Sequence, residues 1–287
     1  MQSRCIKEGE FIPLNFDMIF KRVFGDPNDV EPLRMLIKVV LDIDAEEITI
    51  LNSEILGERI SSRKTTVDLI VELEDGTRIG MEMNRAASDS VMLRNFSYIT
   101  KIMNSSLRHN EKYDQLDRFI QVNFDMDGTH LEPIDLYMVA NVKNSDYLLT
   151  DKLRIYRVDV PFFAKKCYNL NIDELDYKDR FIGLIGINNR NIASIIVSED
   201  KIMSNIRNKI EECNKDTEVI EEYDYRKHHD EISRLALKEE MEQEKRNGFQ
   251  EGIKQTAHKL LEENMDIEFI SKVTGLTVEE INEINKK

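Results

Sequence analysis

The sequence is poor in several residue types: it has no tryptophan and only three cysteines, five prolines and eleven glycines among 287 residues. The cysteines, Cys5, Cys167 and Cys213, are odd in number and far apart, which argues against a disulfide framework or a metal-binding spacing. They predict a reduced, cytoplasmic protein. No apolar run approaches the roughly 18 residues of a membrane helix, so we expect no membrane partner. The first ten residues lack an apolar segment, and we expect no signal peptide.

Basic residues are also scarce relative to acidic ones. The chain has 40 Lys and Arg against 55 Asp and Glu, which gives a net charge of −15. Affinity for nucleic acid phosphates comes mostly from Lys and Arg, so this composition excludes a protein that binds DNA tightly and non-specifically. A metal site with a local basic strip beside it remains compatible with a DNA substrate. The length allows one large domain or two.

Two alternating runs around an Asp-Gly pair predict a β-hairpin over residues 66–84. A two-residue loop would mix charged and apolar side chains on both faces. A three-residue loop, Glu74 to Gly76, closes with a left-handed glycine and leaves one face nearly apolar. Because a one-residue slip moves every side chain to the other face, burial selects the three-residue loop. Its apolar pairs are Val67–Met83, Leu69–Met81, Val71–Ile79 and Leu73–Thr77.

The same register places two carboxylates, Asp68 and Glu82, opposite each other on the second face. Like charges opposed in this way are destabilising, since their Cβ atoms lie about 4.5–5.5 Å apart. The conflict is relieved by a raised pKa, by a nearby basic side chain or by a bound cation. One or two carboxylates commonly hold Mg²⁺. The pair, with Asn84 next on that face, therefore predicts a metal site; the alternative is an acidic, solvated face without a ligand.

Periodicity and turn signals predict an α/β chain with at least one antiparallel hairpin. The expected helices cover residues 15–41, with a break at 25–28, and 89–107; the expected strands cover 46–56, 118–124, 134–142 and 153–160. We expect a domain over 1–198, a charged helical arm over 199–252 and a small helix-turn-helix-like interaction module over 253–287. Glutamates occupy the last helix where a DNA reader presents basic or amide groups, which favours self-association into a homo-oligomer, or the binding of another partner, over the reading of DNA.

An Asp late in one strand, a hairpin, and Glu-X-Lys or Glu-X-Gln on the next strand form the core of the PD-(D/E)XK nuclease fold. This chain resembles one branch of that superfamily, the recombination-promoting nuclease (Rpn) or transposase-like family. The similarity covers most of the chain, and its short motifs appear in the family's order. They are residues 17–25, 64–68, 82–84, 94–98 and 274–277.

The resemblance implies a restriction-endonuclease-like core, with a mixed sheet flanked by helices and a helical C-terminal extension. It implies a metal-dependent endonuclease that hydrolyses DNA phosphodiester bonds in recombination, transposition-like processes or defence against foreign DNA. Asp68, Glu82 and the backbone carbonyl of Met83 would hold Mg²⁺ or Mn²⁺. Asn84 would orient the attacking water, although the family usually has Gln there and the superfamily Lys. Asparagine is one methylene shorter than glutamine.

Further side chains have two interpretations each. Asp17 is a candidate additional metal ligand, or a helix N-cap like Asn15. The basic candidates for DNA phosphate contacts are Lys21, Lys64, Arg94 and Lys101, of which the last two lie on one helix face; the alternative is a solvated surface. A second function therefore stays open, in which a catalytically weak or inactive nuclease fold acts as a binding or regulatory partner.

Overall fold

The computed structural model describes residues 3, 5–51, 54–55, 65–86, 88–106, 112, 116–127 and 130–285. The helices are α1 (Asp17–Phe24), α2 (Glu31–Leu41), α3 (Asp89–Ser106), α4 (Val160–Asn169), α5 (Tyr177–Gly186), α6 (Arg190–Ile196), α7 (Lys201–Cys213), α8 (Thr217–Glu262), α9 (Ile267–Thr274) and α10 (Val278–Asn285), with a 3₁₀ turn at Ile172–Glu174. The strands are β1 (Ile48–Leu51), β2 (Glu54–Ile55), β3 (Thr65–Thr66), β4 (Leu69–Leu73), β5 (Arg78–Asn84), β6 (Phe119–Asp125), β7 (Ile134–Asn141) and β8 (Asn144–Asp159).

A mixed sheet forms the centre of the fold. In the described part of the chain it has six strands in the order β1-β4-β5-β6-β8-β7, and β2 pairs with β3 separately. Strands β5, β6 and β8 run parallel to one another, while the pairs at both edges are antiparallel. The carboxyl ends of the three parallel strands therefore meet at one edge of the sheet. The predicted α/β class, with a mixed sheet flanked by helices and a helical C-terminal extension, is confirmed.

The hairpin of β4 and β5 has the register that burial selected. Leu69 lies opposite Met81 and Val71 opposite Ile79. The loop closes as predicted: Gly76 has a φ of +79°, and the Leu73 N–H donates to the Thr77 carbonyl at 2.9 Å. A residue with a side chain rarely adopts this left-handed conformation, so the glycine and the apolar pattern specify the same register.

One expected pair of the hairpin is wrong. Val67 does not share the apolar face with Met83, because it packs with Ile70 and Ile99 on the opposite side of the sheet. The chain bends at Asp68, immediately before β4 begins. That bend interrupts the two-residue alternation, which holds only within a regular strand.

The apolar face of the sheet carries the main core of the first compact unit. Alternate residues of the central strands pack there against helices α1, α2 and α4–α7. The opposite face is covered by α3, whose Ile99 and Ile102 form a smaller cluster with Phe119. The sheet therefore lies between two layers of helix. Each helical layer buries its apolar stripe on one face of the sheet.

The predicted strand over 153–160 is longer in the structure, where β8 begins at Asn144. Only Leu153–Asp159 of β8 pairs with β6, while the preceding residues pair with β7 alone. These preceding residues are mostly exposed, so cross-strand hydrogen bonds hold them rather than burial. The hydrophobic pattern therefore missed them.

Two compact units divide the chain, Met1–Asp224 and Tyr225–Lys287. Helix α7, expected within the charged arm, packs Met203, Ile206 and Ile210 into the core of the first unit. The second unit has its own small core, in which the end of α8 meets α9 and α10 around Ala257, Ile270 and Ile281. The expected divisions at residues 199 and 253 stay predictions about folding units.

The described helices include none with the length and apolar character required to cross a membrane. None of the three cysteines, all in the described part of the chain, forms a disulfide; Cys167 and Cys213 are buried, and Cys5 is exposed.

Replacing Gly76 with alanine should strain the hairpin loop. The left-handed conformation costs a residue with a Cβ roughly 1–2 kcal/mol, so Gly76→Ala should lower the free energy of unfolding by about that amount, measured in urea. Gly76→Asn is the matched control and should lose less, since asparagine visits this conformation more readily. Equal losses for the two variants would contradict the conformational explanation.

Candidate active site

The candidate site lies on the face of the sheet beneath α3. Strand β5 alternates, so Gly80, Glu82 and Asn84 share this face, and their parallel partners on β6 are Gln121, Asn123 and Asp125. Apart from Gly80, every one of these side chains is polar, and all are buried. A buried polar side chain requires a hydrogen-bond or ion partner. The partners therefore determine the chemistry available to this face.

Asp68 is held at the entrance to this face by two contacts. Its Oδ2 accepts a hydrogen bond of 3.0 Å from the Met83 backbone N–H. Its Oδ1 lies 3.0 Å from the Nζ of Lys21 on α1. The Asp68 carboxylate thus accepts a hydrogen bond from β5 that a backbone carbonyl would accept if β4 began one residue earlier. Lys21 is therefore a nearby basic side chain, which was one of the three expected ways to relieve the repulsion between Asp68 and Glu82.

A raised pKa, the second expected way to relieve the repulsion, is found at Glu82. It is only 4% exposed, and burial raises the pKa of its carboxyl from 4.5 to about 8. The neighbouring Asp68 charge raises this pKa further, while Arg94, Lys21 and the Asp68 backbone oppose the rise. Among the described residues no hydrogen-bond partner reaches the buried Oε1, and Oε2 lies 3.9 Å from the Arg94 guanidinium. A buried carboxylate oxygen without a protein partner requires an explanation, such as an ordered water or a bound ion.

The two carboxylates suit a hard cation that keeps most of its water. Mg²⁺ is typically bound in this way, through one or two carboxylates, and the unpartnered Oε1 of Glu82 fits such a role. Within the described residues, no group of three or more His, Cys, Asp or Glu side chains is arranged to hold a metal ion. Any ion here would therefore depend on Asp68, Glu82, backbone carbonyls such as that of Met83, water and substrate.

Asp17 lies at the first position of α1, one helical turn before Lys21. The expected N-cap role is wrong for both candidates, because Phe16 occupies the cap position and no side chain caps the helix. The Asp17 carboxylate accepts a hydrogen bond from the Met18 N–H at 3.0 Å. The structure does not place Asp17 in a three-ligand group with the acidic pair, and its role as a ligand stays a prediction.

Asn84 is 2% exposed, and its amide is engaged on both sides. Its Nδ2 donates to Asp125 at 2.8 Å. Its Oδ1 accepts from the Arg94 guanidinium at 3.2 Å and from Asn95 at 3.1 Å. Two donors fill the two lone pairs of an amide oxygen. In this geometry Asn84 aims the guanidinium of Arg94 toward Glu82, and the amide oxygen is already occupied.

Several residues of the site were missed in the sequence. They are Asn95, Gln121, Asn123, Asp125 and Arg157, and together with the predicted Asn84 they form what we call the buried polar layer. Asn95 on α3 donates to Asn123 at 2.8 Å, and Arg157 on β8 donates to Asp125 at 2.8 Å. The available signal was the alternation of Gln121, Asn123 and Asp125 along a strand that is otherwise apolar.

Asp125 connects this layer to a second acidic pair. Its carboxyl is fully buried, and burial raises its pKa against the opposing effects of Asn84 and Arg157. His130 lies between Asp125 and Asp135, with a ring nitrogen 3.5 Å from a carboxylate oxygen on each side. The Arg157 guanidinium compensates the buried Asp125 charge, and this pairing fixes the acceptor that orients Asn84.

The predicted basic residues have different positions. Lys21 and Arg94 reach the acidic pair, and Arg94 also lies 5.7 Å from the centre of the Tyr98 ring. Lys101 lies two turns farther along α3, about 10 Å away at 1.5 Å per residue. Lys64 lies outside the described residues. Of the three candidate cations that the structure describes, Lys21 and Arg94 therefore lie at the site.

The fold and the site together define an α/β protein of the nuclease-like class, with an acidic pair at the edge of a mixed sheet. The family model of the PD-(D/E)XK nuclease family transposases matches residues 14–238. The chain belongs to this family, as its motifs predicted. Neither the curated proteins nor the solved structures contain a significant match to the sequence.

Glu82 should make the stability of the metal-free protein depend on pH. Because its folded-state pKa of about 8 lies above the ordinary value of 4.5, its contribution is complete below about pH 4.5 and is lost as pH rises through 8. Glu82→Gln removes this loss. Its free energy of unfolding, relative to wild type, should rise by a few kcal/mol between pH 5 and 9, at about 1.4 kcal/mol per pKa unit.

Urea titrations at several pH values with a chelator present measure this difference. Parallel stability curves for Glu82→Gln and wild type would show that the buried carboxyl does not carry the pH dependence.

Proposed function

We propose that this protein is a Mg²⁺- or Mn²⁺-dependent DNA endonuclease that hydrolyses phosphodiester bonds. The observation that carries the proposal is the buried Glu82 carboxylate, whose Oε1 has no partner among the described residues and which lies beside Asp68. Membership of a nuclease family supports DNA as the substrate. Roles in recombination, transposition-like processes or defence against foreign DNA, and a cytoplasmic location, belong to the same proposal.

Asp68, Glu82 and the Met83 carbonyl would hold the cation. A divalent ion in such a site activates water and neutralises charge on the scissile phosphate. The protein's own contribution begins with Glu82, which must lose its proton to bind a cation. The positively charged neighbours Lys21 and Arg94 already favour that loss.

Arg94 is the side chain we assign to the phosphate. It is half-exposed, and its guanidinium lies between the Asn84 oxygen and Glu82. A guanidinium matches the oxygens of a phosphate in a bidentate manner. Asn84 then acts as a positioning residue that holds Arg94, in place of the water-orienting role its sequence position predicted. Arg94 would supply the positive charge that a Lys at the Asn84 position supplies elsewhere in the superfamily.

Lys21 has a different task in this proposal. In the folded chain its ammonium neutralises Asp68 at 3.0 Å. A cation bound by Asp68 would compete with this ion pair and release Lys21 toward the DNA backbone. Lys64 and Lys101 remain candidate contacts to more distant phosphates.

A second candidate function is a non-catalytic binding or regulatory partner. The ion pair between Lys21 and Asp68 favours it, because it neutralises half of the acidic pair without a metal. The net charge of −15 also disfavours tight binding to DNA.

Supercoiled plasmid, incubated with the purified protein in Mg²⁺ or Mn²⁺, tests the nuclease. Asp68→Asn and Glu82→Gln preserve shape and remove ligands, and each should lower the nicking rate at least about 100-fold, since a catalytic metal contributes several kcal/mol. Glu72→Gln, a carboxylate change on the same hairpin, is the control and should retain activity. No nicking by wild type, with no Mn²⁺ binding in calorimetry, would favour the regulatory partner.

The role of Asn84 is tested through Arg94. Arg94→Ala should lower the nicking rate by about 10- to 100-fold, and Arg94→Lys should recover part of the loss, since lysine keeps the charge without the bidentate geometry. If Asn84 acts by holding Arg94, Asn84→Ala should cost much less in the Arg94→Ala background than in wild type. Additive losses, or activity gained by Asn84→Gln or Asn84→Lys, would overturn this assignment.

A further inference from the structure

Asn95 is a polar side chain at a buried position of α3. The other fully buried side chains in the described part of this helix, Ile99 and Ile102, are apolar and pack against the sheet. Asn95 is 1% exposed, so its amide has lost its contacts with water and requires protein partners. An apolar side chain would hold the helix to the sheet without that requirement. The amide at residue 95 therefore indicates a role beyond packing.

Both ends of the Asn95 amide form hydrogen bonds. Its Oδ1 accepts a hydrogen bond of 3.1 Å from the Nε of Arg94. Its Nδ2 donates to the Oδ1 of Asn84 at 3.1 Å and to the Oδ1 of Asn123 at 2.8 Å. A primary amide has two N–H donors, and an arginine side chain can only donate. The contact with Arg94 therefore fixes which end of the amide is the oxygen, and Asn95 uses both of its donors on the strands.

Asn84 and Asn95, which we call the amide pair, together hold one edge of the Arg94 guanidinium. The Asn95 oxygen accepts from Nε, and the Asn84 oxygen accepts from Nη2 at 3.2 Å. Among the residues that the structure describes, none accepts a hydrogen bond from Nη1 of Arg94. The Arg94 side chain is 46% exposed. Because the amide pair is buried, the exposed part of the guanidinium is the edge that faces away from it.

We propose that Asn95 is a positioning residue for the contact between Arg94 and a DNA phosphate, an inference that rests on the proposed nuclease function. The amide pair holds the Nε and Nη2 edge of the guanidinium and leaves the Nη1 and Nη2 edge for the oxygens of the phosphate. A long side chain loses rotational freedom when it binds a ligand, and a side chain that is already held in its bound orientation avoids that loss. Neither amide contacts the substrate in this arrangement.

A purely structural role for Asn95 would be to attach α3 to the sheet. Ile102 has that role on the same helix, because it is 4% exposed and packs in the smaller cluster with Phe119. Ile102→Ala is therefore the matched control for Asn95→Ala. Both variants should lower the free energy of unfolding, but only Asn95→Ala should change the behaviour of Arg94.

Hydrogen exchange at the Arg94 Nε–H, measured by ¹⁵N NMR on the metal-free full chain without DNA, tests the amide pair directly. The resonance is identified by its absence in Arg94→Lys. Asn95→Ala should speed the exchange of this proton at least about tenfold, because the proton loses its acceptor, and Ile102→Ala should change it less than about twofold. Equal exchange in wild type and Asn95→Ala, or an equal increase in Ile102→Ala, would overturn the proposal.

Plasmid nicking tests the connection to the reaction. Asn95→Ala should lower the nicking rate about tenfold in the wild-type background and less than about twofold in the Arg94→Ala background, because Asn95 acts only through that side chain. Ile102→Ala should change the rate by the same factor in both backgrounds. Equal losses from Asn95→Ala in the two backgrounds would contradict the positioning role. A wild-type protein that does not nick DNA would overturn the nuclease proposal and this role with it, and the exchange data would show separately whether Asn95 holds Arg94.

Discussion

The burial of one carboxylate beside another is the constraint on which the first unit of this protein depends. The Glu82 side chain lies on the face of the sheet beneath α3, because Met81 and Met83, its neighbours on β5, point to the apolar core on the other face. An ionised carboxylate in such a position is strongly unfavourable unless it is paired. The fold responds by raising the pKa of the Glu82 carboxyl and by placing Lys21 beside Asp68. A divalent ion bound by both carboxylates, as proposed above, would meet the same requirement.

The buried polar layer extends this constraint across the sheet. Once Glu82 and Asn84 occupy the face under α3, their neighbours on β6 must be polar as well, because an amide or carboxyl group requires partners within reach. Asp125 accepts a hydrogen bond from Asn84, Asn123 accepts one from Asn95, and Arg157 balances the Asp125 charge. Each contact leaves the next side chain with one orientation. This chain of contacts holds the Arg94 side chain at the entrance of the site. The side chain of a helix residue is therefore oriented by residues of the sheet.

The register of the hairpin was predictable because two independent signals agreed. The apolar residues Leu69, Val71, Ile79 and Met81 face one side only with a three-residue loop, and Gly76 provides the left-handed residue which that loop requires. Val67 was misplaced because alternation was extended through Asp68, where the strand has not begun. The predicted strand β8 was too short for the opposite reason. Its first half is held by pairing with β7 and carries no hydrophobic pattern.

The sequence by itself determined the α/β class, the hairpin register, the acidic pair and the family. The first three depend on patterns between residues close in the chain, and the family on short motifs and the order in which they follow one another. Tertiary structure alone decided the rest of the site. Asp125 and Arg157 lie 41 and 73 residues beyond Asn84 in the chain, and only the parallel order of β5, β6 and β8 brings Asp125 beside Asn84 and Arg157 beside Asp125. The role proposed for Asn84 differs from the predicted one for that reason: its position in the motif suggested contact with water, whereas Asp125 on β6 and two residues of α3 contact its amide. Hydrogen-bond partners are chosen by proximity in space, and strand order sets that proximity.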